Sequence, residues 1–598
     1  MKLKRTFISI VALMLAVCLM PTALAATWYL EDGDITVIAN ENGQSVKQGS
    51  NSAVADSDTV ITQRDSEKAT DNTITVSTTD DATANITIED VNINSYGDAI
   101  DVGSSGANIT LEGDNKLNSE YGSGLHVSDG DVTITGSGSL EAGSKNDSNN
   151  NAAIGSHENE AMSGDITIGG DAQVTAVSRD DGAGIGSGDM GEMSGDITIG
   201  DNAQVTAWSE TGGAGIGSGR ESNMSGNITI GGSAQVTAGS NSETAGIGSG
   251  NNGVFTSTGR VVIRDSAKVT AIGENEGAGI GTGEDELMAG MIIIQDNAQV
   301  TAIAGDRAAA IGSDNLDEMT GTIIIIGNAR VTTGILDDDD VYFDYNTKEI
   351  KYTLDENAIG YIGDSKYSNH ESDEGHYIIG PDVTINGISG SDIEALKDYI
   401  NMRLSGENHD GEPENLTKLD VRSENGEFTV TAEGEGAVEK ILYGGSENVP
   451  TAPGTYPVTC VVRIGEETIE FQIDTYVVPE PAPRPEPMAH HTRIQLYRVA
   501  DKQGRSIAYK AVQKGGVLTI TTDEKEAKLI IERGGLFALS RQGITKIVFV
   551  TASQKSVISV SAAMEKGSGE FVLLHGSRKV KLTIAGAAVD ADGILIKE

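Results

Sequence analysis

Three short motifs in which apolar and polar residues alternate recur in a constant order along the middle of the chain. The first has the form I-T-I, the second V-T-A and the third G-I-G. Each returns after 31 residues, with one spacing of 33, and shorter units of 23 residues precede them at Ile88, Leu111 and Ile134. The apolar anchors of the three motifs are, in turn, Ile168, Ile199, Ile230, Ile263, Ile294 and Ile325; Val174, Val205, Val236, Val269, Val300 and Val331; and Ile154, Ile185, Ile216, Ile247, Ile280 and Ile311.

A period of two is the pattern of a β-strand with one buried face. Strands this short cannot bury that face alone, so the repeats must stack, and each strand pairs in parallel with its counterpart one coil away. The pattern therefore predicts an all-β protein. Its main body, residues 26–380, is expected to be a parallel β-helix with an N-terminal cap and irregular last coils.

The outward position of the first strand changes character along the predicted solenoid. Threonine occupies it in six coils and an apolar residue in the next three, and the second strand also turns apolar there. A contiguous apolar patch of this kind is expected to be covered, by the 336–380 segment, by the module after residue 380 or by a second copy. An intramolecular cover is favoured because both segments directly follow the patch. Its residues are Val262, Ile293, Ile324, Ile272 and Ile303.

Several of these segments resemble known families. The motifs G-A-G-I-G-S-G and D-I-T-I-G-G-D-A-Q-V-T-A resemble the Gly-rich right-handed parallel β-helix repeats of surface proteins of Gram-positive bacteria. Residues 108–115 and 131–134 resemble a β-helical carbohydrate-binding family, and A-P-G-T-Y-P-V-T at residues 452–459 resembles bacterial Ig-like modules. The solenoid resemblance covers residues 84–335. It implies a right-handed parallel β-helix that binds polysaccharide or a cell-surface partner.

The remaining segments predict a secreted chain of several parts. Residues 1–25 have the basic start, apolar run and A-L-A site of a signal peptide, and a lipoprotein anchor at Cys18 is disfavoured because valine precedes it. Residues 381–478 are predicted to form an Ig-like β-sandwich, 479–488 a Pro-rich linker and 489–598 a small basic strand-rich domain. No later segment is long and apolar enough for a membrane span.

Charge and cysteine content narrow the partners. The formal net charge is −47, although residues 489–598 carry 17 Lys and Arg against 10 Asp and Glu. The acidic excess therefore lies in the solenoid and the module, which makes a nucleic-acid partner there unfavourable. Without Cys18 only Cys460 remains, so no internal disulfide forms, and burial within a strand is the expected role of this thiol.

Catalytic residues are not indicated strongly anywhere in the solenoid. The adjacent carboxylates Asp180 and Asp181 lie in a variable loop, and the chain has no N-T-D or G-H-G motif of the kind found in β-helical pectin hydrolases. A lyase would need a basic residue near bound calcium, but Arg179, Arg220 and Arg307 also lie in variable loops. His126 occupies an outward strand position and is expected to be an ordinary polar residue in contact with solvent. An enzyme is thus disfavoured but kept as an alternative.

Two binding sites are predicted from single features. Trp208 points outward by the strand alternation, and an exposed aromatic ring is a common platform for a sugar; the alternative is that it covers a loop. Calcium prefers carboxylate and carbonyl oxygens, so an acidic run predicts a calcium site, although a solvated loop is the alternative. That run is Asp337, Asp338, Asp339 and Asp340.

The sequence therefore predicts a secreted, non-catalytic surface or adhesion-type protein that binds polysaccharide or a cell-surface partner through its β-helix. A polysaccharide lyase or glycoside hydrolase on the same scaffold is the first alternative. A structural spacer of the cell surface is the second.

Overall fold

In a computed structural model, the three motifs of each repeat form three short strands, and equivalent strands of successive repeats pair in parallel. The first-motif isoleucines share one register position, as Ile168 with Ile199 and Ile199 with Ile230. The same register continues from Ile263 through Ile294 to Ile325. The predicted parallel solenoid is confirmed.

The structure describes most of the chain after residue 25, with gaps. The signal peptide and the Pro-rich linker predicted above lie outside the described residues. These are 26–79, 82–144, 146, 148–284, 287–313, 319–355, 358, 360–363, 375–397, 399–400, 415–424, 427–464, 467–478, 496–531, 535–564, 566, 570–576, 579–584, 587–589, 591 and 594–596.

Strands of the first motif form a 14-stranded sheet that is parallel up to its last, antiparallel pair. They are Thr27–Tyr29, Thr59–Thr62, Thr83–Glu89, Gly106–Glu112, Val132–Gly136, Ile166–Ile168, Ile197–Ile199, Asn227–Ile230, Arg260–Ile263, Met291–Ile294, Thr322–Ile325, His376–Ile379, Leu416–Glu424 and Glu427–Gly434.

Strands of the second motif form a 12-stranded sheet. They are Asn92–Ser95, Asp114–Ser119, Ser139–Ser144, Gln173–Ser178, Gln204–Ser209, Gln235–Ser240, Lys268–Ile272, Gln299–Ala304, Arg330–Asp344, Glu349–Leu354, Thr384–Ile385 and Ile388–Ser389. The long strand Arg330–Asp344 also pairs antiparallel with Glu349–Leu354, and we call these two strands the hairpin.

Strands of the third motif form a 13-stranded sheet that begins with an antiparallel cap. They are Ile35–Asn40, Gly43–Gln48, Val54–Ala55, Ile74–Thr78, Ile100–Gly103, Leu125–Val127, Ile154–Gly155, Ile185–Gly186, Ile216–Gly217, Ile247–Gly248, Ile280–Gly281, Ile311–Gly312 and Ile362–Gly363. A 3₁₀ turn, Leu30–Asp32, and a short α-helix, Ile393–Leu396, complete the solenoid's elements.

The glycines of the third motif are required by the stacking. Gly186 has φ of +142°, and a Cβ there would lie 1.7 Å from the carbonyl oxygen of Gly217 in the next coil. Only glycine permits this conformation and this approach. The inward isoleucines of all three sheets meet in one continuous core.

The chain divides into two compact units, Met1–Glu480 and Pro481–Glu598. Within the first, Leu416–Glu424 pairs in parallel with His376–Ile379 and so extends the solenoid's first sheet. Gly436–Tyr443, Gly454–Ile464 and Glu467–Val478 then form a three-stranded antiparallel sheet, which we call the terminal sheet. The segment is β-structured as expected, and its Ig-like character stays a prediction.

The outward apolar side chains belong to two separate clusters, so the expected single patch is wrong. Ile293 and Ile324 are buried with residues of the terminal sheet, including Phe471, and Val262 packs at the edge of this cluster. Ile272 and Ile303 are buried beneath the hairpin, with Leu336, Val341, Phe343 and Ile350. Each set is covered by a different segment of the same chain.

Cys460 lies within the cluster beneath the terminal sheet. Burial raises the pKa of its thiol to about 12, so the group stays neutral. It acts as a small apolar residue in a strand.

The second unit contains two sheets around its own core. Five strands form an antiparallel sheet: Tyr497–Ala500, Ala527–Ile531, Phe571–His575, Val580–Ile584 and Ala587–Ala588. Four strands, Lys510–Lys514, Val517–Thr521, Lys546–Val550 and Lys555–Ser559, form a mixed sheet, and the helices are Gly535–Arg541 and Val560–Met564. Within the described residues of both units, no helix has the length and apolarity needed to span a membrane.

We expect Ile293→Asp to loosen the terminal sheet. The variant places a carboxylate in an apolar cluster, which costs about 3 kcal/mol or more unless the packing opens. Urea unfolding and limited proteolysis mapped by mass spectrometry would measure the loss and the new cleavage within residues 416–478. Thr198→Asp is the matched control, because Thr198 holds the equivalent position two coils before the apolar stretch, is only half-buried and lies outside this cluster. Equal stability of the two variants would contradict the assignment.

Candidate functional site

The predicted sugar platform is wrong, because Trp208 is fully buried. Its side chain does leave the coil outward, but it packs beneath the hairpin against Phe343 and Ile350. Its indole nitrogen donates to Glu210, whose other carboxylate oxygen accepts from the Tyr345 hydroxyl at 3.1 Å. The ring covers a neighbouring segment and offers no face to a ligand.

The acidic run predicted to bind calcium lies on the first strand of the hairpin. Asp337 is exposed there, and the side chains of Asp338, Asp339 and Asp340 lie outside the described residues. The calcium site stays a prediction.

The paired carboxylates Asp180 and Asp181 are held by neighbouring loops. The Thr211 hydroxyl lies 3.2 Å from Asp180 and 3.0 Å from Asp181, and Arg220 lies 3.0 Å from Asp181. Arg220 also binds Asp189 through two nitrogens at 3.2 and 3.1 Å. This network ties the loops of successive coils together.

Burial sets the protonation of this network. The side chain of Asp189 has no exposed surface, and this burial raises its pKa. The Arg220 guanidinium lowers the same pKa and so opposes the rise. Burial and the charge of Asp181 raise the pKa of Asp180 as well. Arg220 therefore neutralises carboxylates that the coils could not otherwise bury in charged form.

A different group of charged side chains converges on the outer face of the third sheet. His126, on Leu125–Val127, is paired in register with Asp101 of the preceding strand. His157 and Glu160 follow the next strand of the sheet, and Asp98 precedes Asp101. We call these five residues the histidine cluster.

Its two imidazole rings are stacked, 3.8 Å apart and 3° from parallel. At one edge His126 Nδ1 lies 2.9 Å from Asp101 Oδ1 and 3.9 Å from Asp98 Oδ2. His157 Nε2 lies 2.7 Å from Asp98 Oδ1. At the other edge Glu160 Oε2 lies 2.8 Å from His126 Nε2 and 3.6 Å from His157 Nδ1.

The carboxylates outweigh burial in setting the charge of His126. Burial lowers the pKa of this imidazole, but hydrogen bonds to Asp101 and Glu160 and the charge of Asp98 raise it to about 9. Burial likewise raises the pKa of Asp98, yet its bonds to His157 and Ser123 hold that pKa below the ordinary value. The cluster thus surrounds the cationic imidazole of His126 with carboxylates.

Two exposed tyrosines adjoin the histidine cluster. Tyr96 and Tyr121 follow equivalent strands of the second sheet, and the Tyr121 amide donates to the Tyr96 carbonyl at 3.0 Å. Tyr96 is 73% exposed and Tyr121 is 52% exposed. The centroids of their rings lie 4.7 Å apart. Asp98 lies two residues beyond Tyr96, and it accepts from the amide of Ser123, two residues beyond Tyr121. An aromatic surface and a set of hydrogen-bonding groups therefore share one corner of the coils.

Sequence reasoning missed the tyrosines and most of the histidine cluster. A signal was present, because A-I-D-V at residues 99–102 and G-L-H-V at 124–127 place Asp101 and His126 at one position of consecutive coils. Y-G at residues 96–97 and at 121–122 marks the tyrosines in the same way. His157 and Glu160 lie in a turn, and the repeat does not indicate that they fold back onto His126.

Comparisons of the chain with models of protein families, with curated proteins and with solved structures found no match. The chemistry of the site must therefore be argued from its own residues.

We expect Trp208→Ala to destabilise the hairpin. Removing a buried indole costs about 3–5 kcal/mol and leaves a cavity beneath the two strands. Faster tryptic cleavage at Lys348 and Lys351, with a lower melting temperature, would report the loss. Tyr342→Ala, on the exposed side of the same hairpin, should change neither. Unchanged cleavage in the Trp208 variant would show that the indole does not hold the hairpin.

Arg220→Gln should destabilise the loops by about 3 kcal/mol near pH 7.5, because Asp189 is left buried without its cation. Since burial already raises the pKa of Asp189, losing the cation raises it further, and protonation removes the penalty. The stability deficit relative to wild type should therefore shrink as the pH falls towards 4. Chemical unfolding across this range tests the sign, with exposed Arg260→Gln as control. A deficit that grows on acidification would contradict it.

Proposed function

We propose that the protein is a secreted, non-catalytic binding protein that holds a polysaccharide at the cell surface through its β-helix. The proposal rests on the exposed pair Tyr96 and Tyr121, which lie on consecutive coils next to the hydrogen-bonding groups of the histidine cluster. The extracellular location rests on the signal peptide predicted from residues 1–25.

The tyrosine pair supplies the apolar part of such a site. Most large apolar side chains of the solenoid are buried, so two adjacent exposed rings need a reason. An aromatic ring combines a broad apolar face with a polar hydroxyl, which suits a partner with one apolar face and polar edges. The C–H face of a sugar ring has that character.

The adjacent carboxylates and imidazole would orient a sugar bound against the rings. The side chains of Asp101, Glu160 and His157 are between about a third and a half exposed, at 44%, 39% and 32%. Such groups can exchange hydrogen bonds with sugar hydroxyls while the rings stay in contact. Because the cluster and the chain are acidic, we expect a neutral or amino-sugar polymer and not a polyuronate.

The same corner is where a lyase or hydrolase would place its chemistry, since carboxylates and an imidazole adjoin the tyrosines. Every ring nitrogen of the two histidines faces a carboxylate within the cluster, at 2.7–3.9 Å. Groups satisfied by each other in this way favour binding over proton transfer to a substrate. Product formation in the test below would instead support the enzyme, and neither binding nor turnover would support the spacer.

We expect Tyr96→Ala and Tyr121→Ala each to weaken polysaccharide binding by up to about tenfold, and the double variant to abolish it, because one aromatic contact contributes on the order of 0.5–1.5 kcal/mol. Binding would be measured by affinity electrophoresis and pull-down on a panel of neutral, amino-sugar and uronate polymers. Release of reducing or unsaturated ends would be followed in parallel.

Tyr342→Ala, which removes an exposed tyrosine far along the chain on the hairpin, is the matched control. The melting temperatures of all variants should stay at the wild-type value, because none of these rings is buried. If the double variant retained wild-type affinity for every polymer bound, the tyrosine pair would not be the site.

A further inference from the structure

The histidine cluster brings together nitrogen and oxygen donors of the kind that bind transition metals. Among the described residues, Asp98, His126 and His157 each offer an atom within 4.8 Å of the others. Asp101 lies beside this set, because its Oδ1 is 2.9 Å from His126 Nδ1, but it is not one of the donors that all lie within 4.8 Å of one another. Two imidazoles and one carboxylate therefore meet here, with a second carboxylate next to His126.

We propose that Asp98, Asp101, His126 and His157 bind one divalent transition-metal ion, represented by Zn²⁺. His126 would supply Nδ1, His157 would supply Nε2, and each aspartate would supply one oxygen. This proposal shares Asp101 and His157 with the sugar-binding proposal, but it does not require the tyrosine pair and it is tested without a sugar.

The spacing of the donor atoms suits a tetrahedral ion. Zinc lies about 2.0–2.2 Å from nitrogen and oxygen ligands, so neighbouring ligands of a tetrahedron are roughly 3.3 Å apart. The donor atoms here are separated by 2.7 Å (Asp98 to His157), 2.9 Å (Asp101 to His126) and 3.9 Å (Asp98 to His126). These separations differ from the tetrahedral value by about half an ångström, and the orientation of the His157 ring must change as well.

Glu160 completes the arrangement from the opposite edge. Its Oε2 lies 2.8 Å from His126 Nε2, where it accepts the ring N–H. A metal-binding histidine usually donates its second N–H to a carboxylate, which fixes the tautomer and orients the ring. The ion would displace the Nδ1 proton of His126 to solvent, and the ring, with Nε2 still protonated, would then present its Nδ1 lone pair to the ion.

Binding requires the ring stack to open. An ion bound through an imidazole nitrogen lies close to that ring's plane, and parallel rings 3.8 Å apart cannot share one ion. His157 is the ring that can turn, because it lies in a turn with a side chain 32% exposed, whereas the His126 side chain is 9% exposed and held at both edges. The proposal therefore includes a reorientation of His157.

The backbone leaves room for the two aspartates. A Cβ on Gly122 would lie 2.4 Å from Asp98 Oδ1, and one on Gly103 would lie 3.3 Å from Asp101 Oδ1. The mixed donor set also defines the ion: imidazole suits zinc, copper or nickel, whereas calcium and magnesium prefer oxygen ligands alone. Calcium at the predicted Asp337–Asp340 site would be a separate event.

Titration of the metal-free full chain with Zn²⁺, in competition with a chromophoric chelator at pH 7.5, tests the proposal. We expect one Zn²⁺ per chain that an excess of Ca²⁺ or Mg²⁺ does not displace. His157→Gln and Asp98→Asn should each weaken binding at least tenfold. Glu158→Gln, which removes an exposed carboxylate from the same turn, is the matched control and should bind as wild type does.

Co²⁺ provides a second measurement, because four-coordinate Co²⁺ absorbs visible light far more strongly than the six-coordinate ion. The strong absorption should appear with wild type and be lost with His157→Gln, while circular dichroism confirms that both are folded. Failure of wild type to bind Zn²⁺, or equal affinity in His157→Gln and wild type, would overturn the proposal. Polysaccharide binding that persists in chelator would leave the tyrosine site standing in either case.

Discussion

In-register parallel pairing of successive coils is the constraint on which the rest of this structure depends. Strands of neighbouring coils lie about 4.8 Å apart, so each side chain lies against the side chain at the same position of the next coil. Isoleucine can stack on isoleucine indefinitely inside the solenoid, and glycine is needed where backbones approach most closely. The repeat is uniform because each side chain packs against the equivalent side chain of the next coil.

The same constraint explains where charge is allowed. Like charges at one position of consecutive coils repel, so a buried charge needs an opposite charge beside it, whereas a pair in contact with solvent, such as Glu89 and Glu112, is tolerated because water screens it. Asp101 beside His126 satisfies this rule on the third sheet, and Arg220 satisfies it for Asp181 and Asp189 in the loops. The histidine cluster is therefore a stabilised interruption of the repeat, and such interruptions are where a solenoid can carry a site.

Outward positions face a second constraint once they become apolar. No part of the solenoid itself packs against its outer face, so apolar residues on that face must be covered by another segment. This chain supplies two covers, the hairpin over Trp208, Ile272 and Ile303 and the terminal sheet over Ile293 and Ile324. In coils nearer the N-terminus the outward positions of the second sheet are Asn94, Asn118 and Gly143, and threonines such as Thr87 and Thr110 lie on the first sheet. The exposed tyrosine pair lies among these coils.

The sequence by itself determined the solenoid, its three strands per coil, the inward faces and the register of the 31-residue repeats, because all of these follow from local periodicity at a constant spacing. At the last of the shorter units the register differs by two residues from the one that the 23-residue spacing predicts, because Ile134 pairs with Ile109 and not with Leu111. It also indicated that apolar outward positions need a cover. Only the tertiary structure decided which segment covers each of them. Trp208, which the sequence predicted to be an exposed platform, is therefore buried. It alone brought His157 and Glu160 onto His126, because turns do not obey the repeat and their side-chain contacts depend on how the chain folds back.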